Sequence, residues 1–188
     1  MLRRTGLRDT LFIAMSNYYY ENKTTYLDTL AETRRLDHDL TPFLRFGLRG
    51  VESQCKRLFA EIRYQIKRAL FRNTVTDLFG RLSSPRKRVM SARHAQVLML
   101  LLESGELPLR VLFARTAHLY ALKNPSKAVI RDLMYILQLG AVHIRRAPED
   151  GPTLVEANLD WPSEITETEF FRRVKTMPKG KTHGFLSL

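Results

Sequence analysis

The side chains best placed to do chemistry are cations at helical spacing. Lys127 and Arg131 stand four apart, with Ser126 just before them and Tyr135 one turn on. Arg145 and Arg146 follow closely, and Arg86, Lys87 and Arg88 form a basic run upstream. Long cationic and hydroxyl side chains in such an array hydrogen-bond to phosphates and base edges, so the chemistry offered is recognition of double-stranded DNA. Ser126 lies near a helix start, where backbone N–H groups can meet a phosphate. The same residues also read as solvated positions on any surface helix. Glu149 and Asp150 follow on the turn and would be repelled by phosphate. Asp37-His38-Asp39 has the residue types of a metal site. Neighbours on one short loop do not converge on an ion, and no second His or Cys cluster supports them, so no metal or other cofactor is expected.

These cations need a scaffold, and the stretch from Ser91 to Ala157 supplies one. An apolar run, Ala95 to Leu102, ends at Ser104-Gly105. Leu109, Leu112, Phe113 and Thr116 share one face of a second helix, Pro108 to Leu119. A third runs from Asn124-Pro125 to Gly140, with Pro and Gly as start and stop signals. Taking Leu133 as its core centre, Val129, Ile136, Leu137 and Gly140 face inward. Lys127, Ala128, Arg131, Tyr135 and Gln138 face outward. Val142 and Ile144 then alternate with His143 and Arg145 as in a half-buried strand. Pro148 to Pro152 turns, and Thr153 to Ala157 returns. Three helices and a hairpin, with no strand before Leu139, is the order of a winged helix-turn-helix, whose third helix is the candidate recognition helix.

The charge fits this reading. Lys plus Arg number 31 against 19 Asp plus Glu, a net charge of +12, which suits nucleic acid or an acidic partner surface. Cys55 is the one cysteine, so no intramolecular disulfide can form. No apolar run approaches a membrane span and no signal-peptide core opens the chain, so a cytoplasmic, bacterial-type protein is expected.

The fold class expected is mainly α, with an N-terminal helical region (1–84), the winged helix (85–161), and a short C-terminal helix with a basic tail (162–188). Leu7 to Tyr20 reads as one helix and Lys23 to Arg35 as a second, with Tyr26, Leu27 and Leu30 buried. Tyr18-Tyr19-Tyr20 invites a stacking platform, but adjacent helical residues point apart, which favours packing. Thr41-Pro42 opens a long helix with Thr as cap. Apolar residues recur along it at three and four: Phe46, Gly50, Leu58 and Ile62 on one side, Leu44, Leu48 and Val51 on another. Val51, Ile66 and Leu70 are counted on its apolar face. Gly47 and Gly50 permit close packing or mark a bend. Two apolar stripes imply a homodimer through the N-terminal helices. Gly80 to Arg88 reads as the boundary, a hinge or a phosphate-binding arm. Trp161 should pack, and Thr166 with Glu169 forms a capping box before Phe170 and Phe171.

Tyr18 to Leu30 and Asp39 to Leu48 together resemble the helical segment that follows the active-site motif in Fic (filamentation induced by cAMP) proteins. Ser91 to Ile144 resembles the winged helix that many of them carry at the C-terminus. The resemblance implies transfer of AMP from ATP by a longer parent and, for this chain, contact with a Fic catalytic core. Fic chemistry needs His-Pro-Phe-x-Asp/Glu-Gly-Asn-Gly-Arg. None of His38, His94, His118, His143 and His183 is followed by Pro-Phe, and Gly-Asn-Gly is missing. The inhibitory pattern is missing too, since Thr168 follows the spacing Ser163 to Glu167. No catalytic residue carries over. The chain is expected to be a non-catalytic C-terminal portion, either a DNA-binding regulatory module or an interaction module that supports or targets the AMP-transferase domain. Base, metal ligand and anion cradle act together, so labelled ATP with Mg²⁺ should leave this chain and candidate targets unlabelled. Stoichiometric labelling would contradict the reading.

Overall fold

The computed structural model describes residues 15–82, 85–120, 125–146 and 151–176, with the backbone alone at 85–90. The chain is mainly α-helical with a small antiparallel sheet, the class expected. It divides into two units between Ile66 and Lys67.

In the first unit, α1 (Met15–Glu21) and α2 (Lys23–Arg35) are separated by Asn22 alone. Its side-chain amide donates to the Tyr18 carbonyl at 2.9 Å, and its carbonyl accepts from the Tyr26 amide at 2.9 Å. The helix is interrupted while these groups stay paired. α3 (Thr41–Gly80) gives residues 41–66 to this unit and 67–80 to the second. The Asp39 carboxylate caps it, accepting from the Thr41 amide at 2.9 Å and the Thr41 hydroxyl at 2.6 Å. Thr41 was the expected cap; Asp39 takes the role because an ionised carboxylate accepts more strongly than a hydroxyl. The rings of Tyr18, Tyr19 and Tyr26 gather round buried Phe46, with centroids 5.2, 5.7 and 6.2 Å away. These tyrosines therefore pack, while Tyr20 is exposed. Gly50 allows the close approach: a Cβ there would lie 2.5 Å from a Tyr18 ring carbon and 2.7 Å from the Met15 methyl.

Several expected core positions face outward instead. Leu27 is exposed on α2, as are Val51, Ile62, Ile66 and Leu70 on α3. The packing of α1 and α2 centres on Phe46 and Gly50, and one side of a helix cannot cover two stripes.

The second unit is built on the end of α3. Phe71, Val75, Leu78 and Phe79 are buried with Val97, Leu98 and Leu101 of α4 (Pro85–Ser104). α4 starts at Pro85, not Ser91, because Pro suits a first helical position. The basic run 86–88 thus lies in a helix rather than a linker. The division at Ile66 falls earlier than the boundary expected after residue 84, because α3 runs on into this core. α5 (Leu109–Thr116) ends in a 3₁₀ turn, Ala117–Leu119, and buries Leu109, Leu112 and Thr116 as its spacing suggested. α6 (Ser126–Gln138) follows.

The sheet orders as β1 (Leu107–Pro108), β3 (Thr153–Ala157), β2 (Val142–Arg146), all antiparallel. Val142 pairs with Ala157 and Ile144 with Val155, the expected hairpin. β1 corrects the expectation of no strand before Leu139. Leu107 precedes Pro108, which biases it to extended backbone, and an edge tolerates the missing proline N–H. Leu107 pairs with Val155, which is thereby central and fully buried.

α7 (Trp161–Glu164) and α8 (Glu167–Thr176) close the described chain. Trp161 packs edge-on against Phe71 at 5.9 Å. The Glu169 amide donates to the Thr166 hydroxyl at 3.3 Å, one arm of the expected capping box. The other arm is diverted, since the Glu169 carboxylate pairs with Arg172 and Arg173. The start of the expected first helix (7–14), Glu149 and Asp150 at the turn, and the tail (178–188) lie outside the described residues. Among those described, no helix is long and apolar enough to cross a membrane.

Gly50→Ala should destabilise the first unit by roughly 1–3 kcal/mol, because the new methyl must displace Tyr18 or Met15. Urea unfolding followed by circular dichroism checks this, and an unchanged midpoint would rule out the close approach.

Candidate nucleic-acid interface

Lys127, Arg131 and Gln138 are exposed on one side of α6, as their spacing suggested. Val129, Leu133 and Ile136 are buried on the other. Two outward assignments fail. Ala128 is buried with Tyr120 and Val129, beside Phe113 and Leu119. Tyr135 is half-buried, its ring stacked on the His94 imidazole at 4.7 Å, and burial raises its hydroxyl above the ordinary tyrosine value. The inward stripe is wider than Leu133 alone implied, because α4 and α5 both pack on α6.

A buried acid holds that face in place. Asp132 is 2% exposed. Its Oδ2 accepts from Arg93 Nε at 3.1 Å and from the Tyr120 hydroxyl at 3.0 Å. Its Oδ1 faces His94 Nε2 at 3.6 Å without a hydrogen bond, and Arg131 Nε lies 3.5 Å away. The Arg93 guanidinium sits 4.9 Å over the Tyr120 ring. Burial alone would push the Asp132 carboxyl up; His94, then Arg93, then the Tyr120 hydroxyl outweigh it and hold the carboxyl below its ordinary value. Tyr120 is pushed up, first by burial and then by the Asp132 charge.

This network was not singled out in the sequence reading. Its signal was present: Asp132 falls among the inward positions Val129, Leu133 and Ile136. An acid there must be paired, and Arg93 on a neighbouring helix was a candidate cation.

The far end of α6 is tied as firmly. The Leu139 carbonyl accepts from Trp161 Nε1 at 2.9 Å, and the Gly140 carbonyl from the Asn158 side chain at 2.9 Å. The Ala141 amide returns to the Ile136 carbonyl at 3.1 Å, which needs the left-handed backbone of Gly140, φ 83°.

The remaining candidates are less free. Ser126, the first residue of α6, is half-buried. Arg145 on β2 is exposed but ion-paired with Glu106. The acid lies just before β1, which the sheet places beside the hairpin. Arg146 is exposed at the strand end. Arg86, Lys87 and Arg88 fall in the first turns of α4, with side chains outside the described residues. Among the described residues, no three His, Cys, Asp or Glu gather as a metal site requires.

Asp132→Ala should cost about 3 kcal/mol, since it leaves the half-buried Arg93 guanidinium and the buried Tyr120 hydroxyl without their acceptor. The folded carboxyl lies below its unfolded value, near 3.9. Its contribution is therefore full above about pH 4 and fades as pH falls through the folded value. Urea unfolding across pH should show the gap between wild type and variant closing in acid; a gap that widens would contradict the pairing.

Compared with known proteins, the chain matches no family model, no curated protein and no solved structure.

Proposed function

We propose that the second unit is a winged-helix module that binds double-stranded DNA, with α6 in the major groove. The observation that carries this reading is the outward set Lys127, Arg131 and Gln138 on a helix clamped from behind by Asp132. A recognition helix must present long hydrogen-bonding side chains at fixed height, because base edges are read by direct contact. The net charge of +12 supplies the attraction that precedes such contact. Arg146, and the run Arg86, Lys87 and Arg88, would add phosphate contacts.

On the same reading, the chain is the non-catalytic C-terminal portion of a Fic-like protein, supported by the residue patterns of Tyr18 to Leu48 and Ser91 to Ile144. A second reading makes it an interaction module for a Fic catalytic core. The ion pair of Arg145 with Glu106 favours that version, since it engages one of the two hairpin cations within the chain.

Fluorescence anisotropy with random duplex DNA at two salt concentrations tests the proposal. Binding should be strong at low salt and weaken by orders of magnitude toward physiological salt. Lys127→Ala/Arg131→Ala should weaken it at least tenfold, with Arg131 worth roughly 1–3 kcal/mol if it reads a base. Unchanged binding in the double variant would remove α6 from the groove, and any residual affinity would be that of a basic surface.

A further inference from the structure

A row of apolar residues on α3 remains open in the first unit: Leu44, Leu48, Val51, Cys55, Phe59, Ile62 and Ile66. Leu48 is 70% exposed, Phe59 62%, Leu44 58% and Ile66 55%. The steps between them are four, three, four, four, three and four. Any three consecutive steps sum to eleven, and eleven residues make three turns plus about 20°, so the row stays on one side for about 33 Å. It lies away from Phe46 and Gly50, which face α1.

We infer that this row is a homodimer seam, occupied by the same row of a second copy of this chain. Two features select that occupant. The first is symmetry. The spacing reads the same from either end about Cys55, so apolar meets apolar in both a parallel and an antiparallel pair. A two-fold interface requires this self-complementarity of one surface, whereas an unrelated partner does not impose it. The second is area. From these exposures the row offers on the order of 600 Å² per copy, close to the roughly 800 Å² per partner of a standard stable interface once flanking stems are added. It stands at the upper end of the roughly 300–600 Å² of the largest apolar patch on a typical monomer. One flank carries the exposed cations Arg45, Arg49, Lys56 and Arg63, and the Arg63 guanidinium lies 5.8 Å over the Phe59 ring at the border of the seam. The seam does not depend on DNA binding.

The experiment uses the full chain. Light scattering across the micromolar range should give twice the 21.9 kDa of one chain. Leu48→Glu/Phe59→Glu places charge at exposed positions, so helical circular dichroism should persist while the mass halves. Cys55 of one copy should meet Cys55 of the other in either orientation, so diamide should convert most of the wild type to a covalent dimer. Cys55→Ser should abolish that product and leave the light-scattering dimer intact. A wild-type monomer would overturn the inference and leave the row to a different protein. So would a dimer that survives the double glutamate variant, or one whose Cys55 residues do not cross-link.

Discussion

Placing the Asp132 carboxylate out of water sets the terms for the second unit. An ionised group in an apolar interior is tolerated where opposite charge and hydrogen bonds surround it. Arg93, His94 and Tyr120 come from α4 and from the end of the 3₁₀ turn, and all three address one side chain of α6. These contacts tie α6 to α4 and to the end of the 3₁₀ turn. The helix thus holds Asp132 inward and leaves Lys127 and Arg131 exposed.

Trp161, Asn158 and Gly140 serve the opposite end of α6, where carbonyls would otherwise lack partners. Between the two anchors, Val129, Leu133 and Ile136 fill the space with apolar contact. The sheet is joined to this end, because the Asn158 amide donates to the Ala141 carbonyl at 3.0 Å just before β2. Hairpin and helix are thus registered to one another; β1 adds an edge, and Glu106 just before it pairs with Arg145.

α3 meets different demands along its length. Near its start the absence of a side chain at Gly50 lets Tyr18 and Met15 approach, and an aromatic cluster closes round Phe46. Near its end Phe71, Val75 and Phe79 belong to the core with α4 and Trp161. The apolar content between is greater than one buried side needs, and it remains at the surface in a regular row.

The elements themselves were legible in the residues. Period, Pro and Gly signals placed α2, α3, α5, α6 and the hairpin, because local backbone preference and a single inward face act within a few residues. Trp161 as a packing residue and the inward set Val129, Leu133 and Ile136 followed from the same logic. Tertiary structure alone decided which side of α3 is covered, since that depends on where α1 and α2 pack. It decided that Ala128 and Tyr135 turn inward, because α4 and α5 meet α6 over a wider arc than one stripe. It decided that Leu107-Pro108 becomes a strand, which requires β3 as a partner 46 residues on in the register Pro108↔Leu154. And it decided that Asp132 finds Arg93 39 residues away, a pairing of distant charges that no local period encodes.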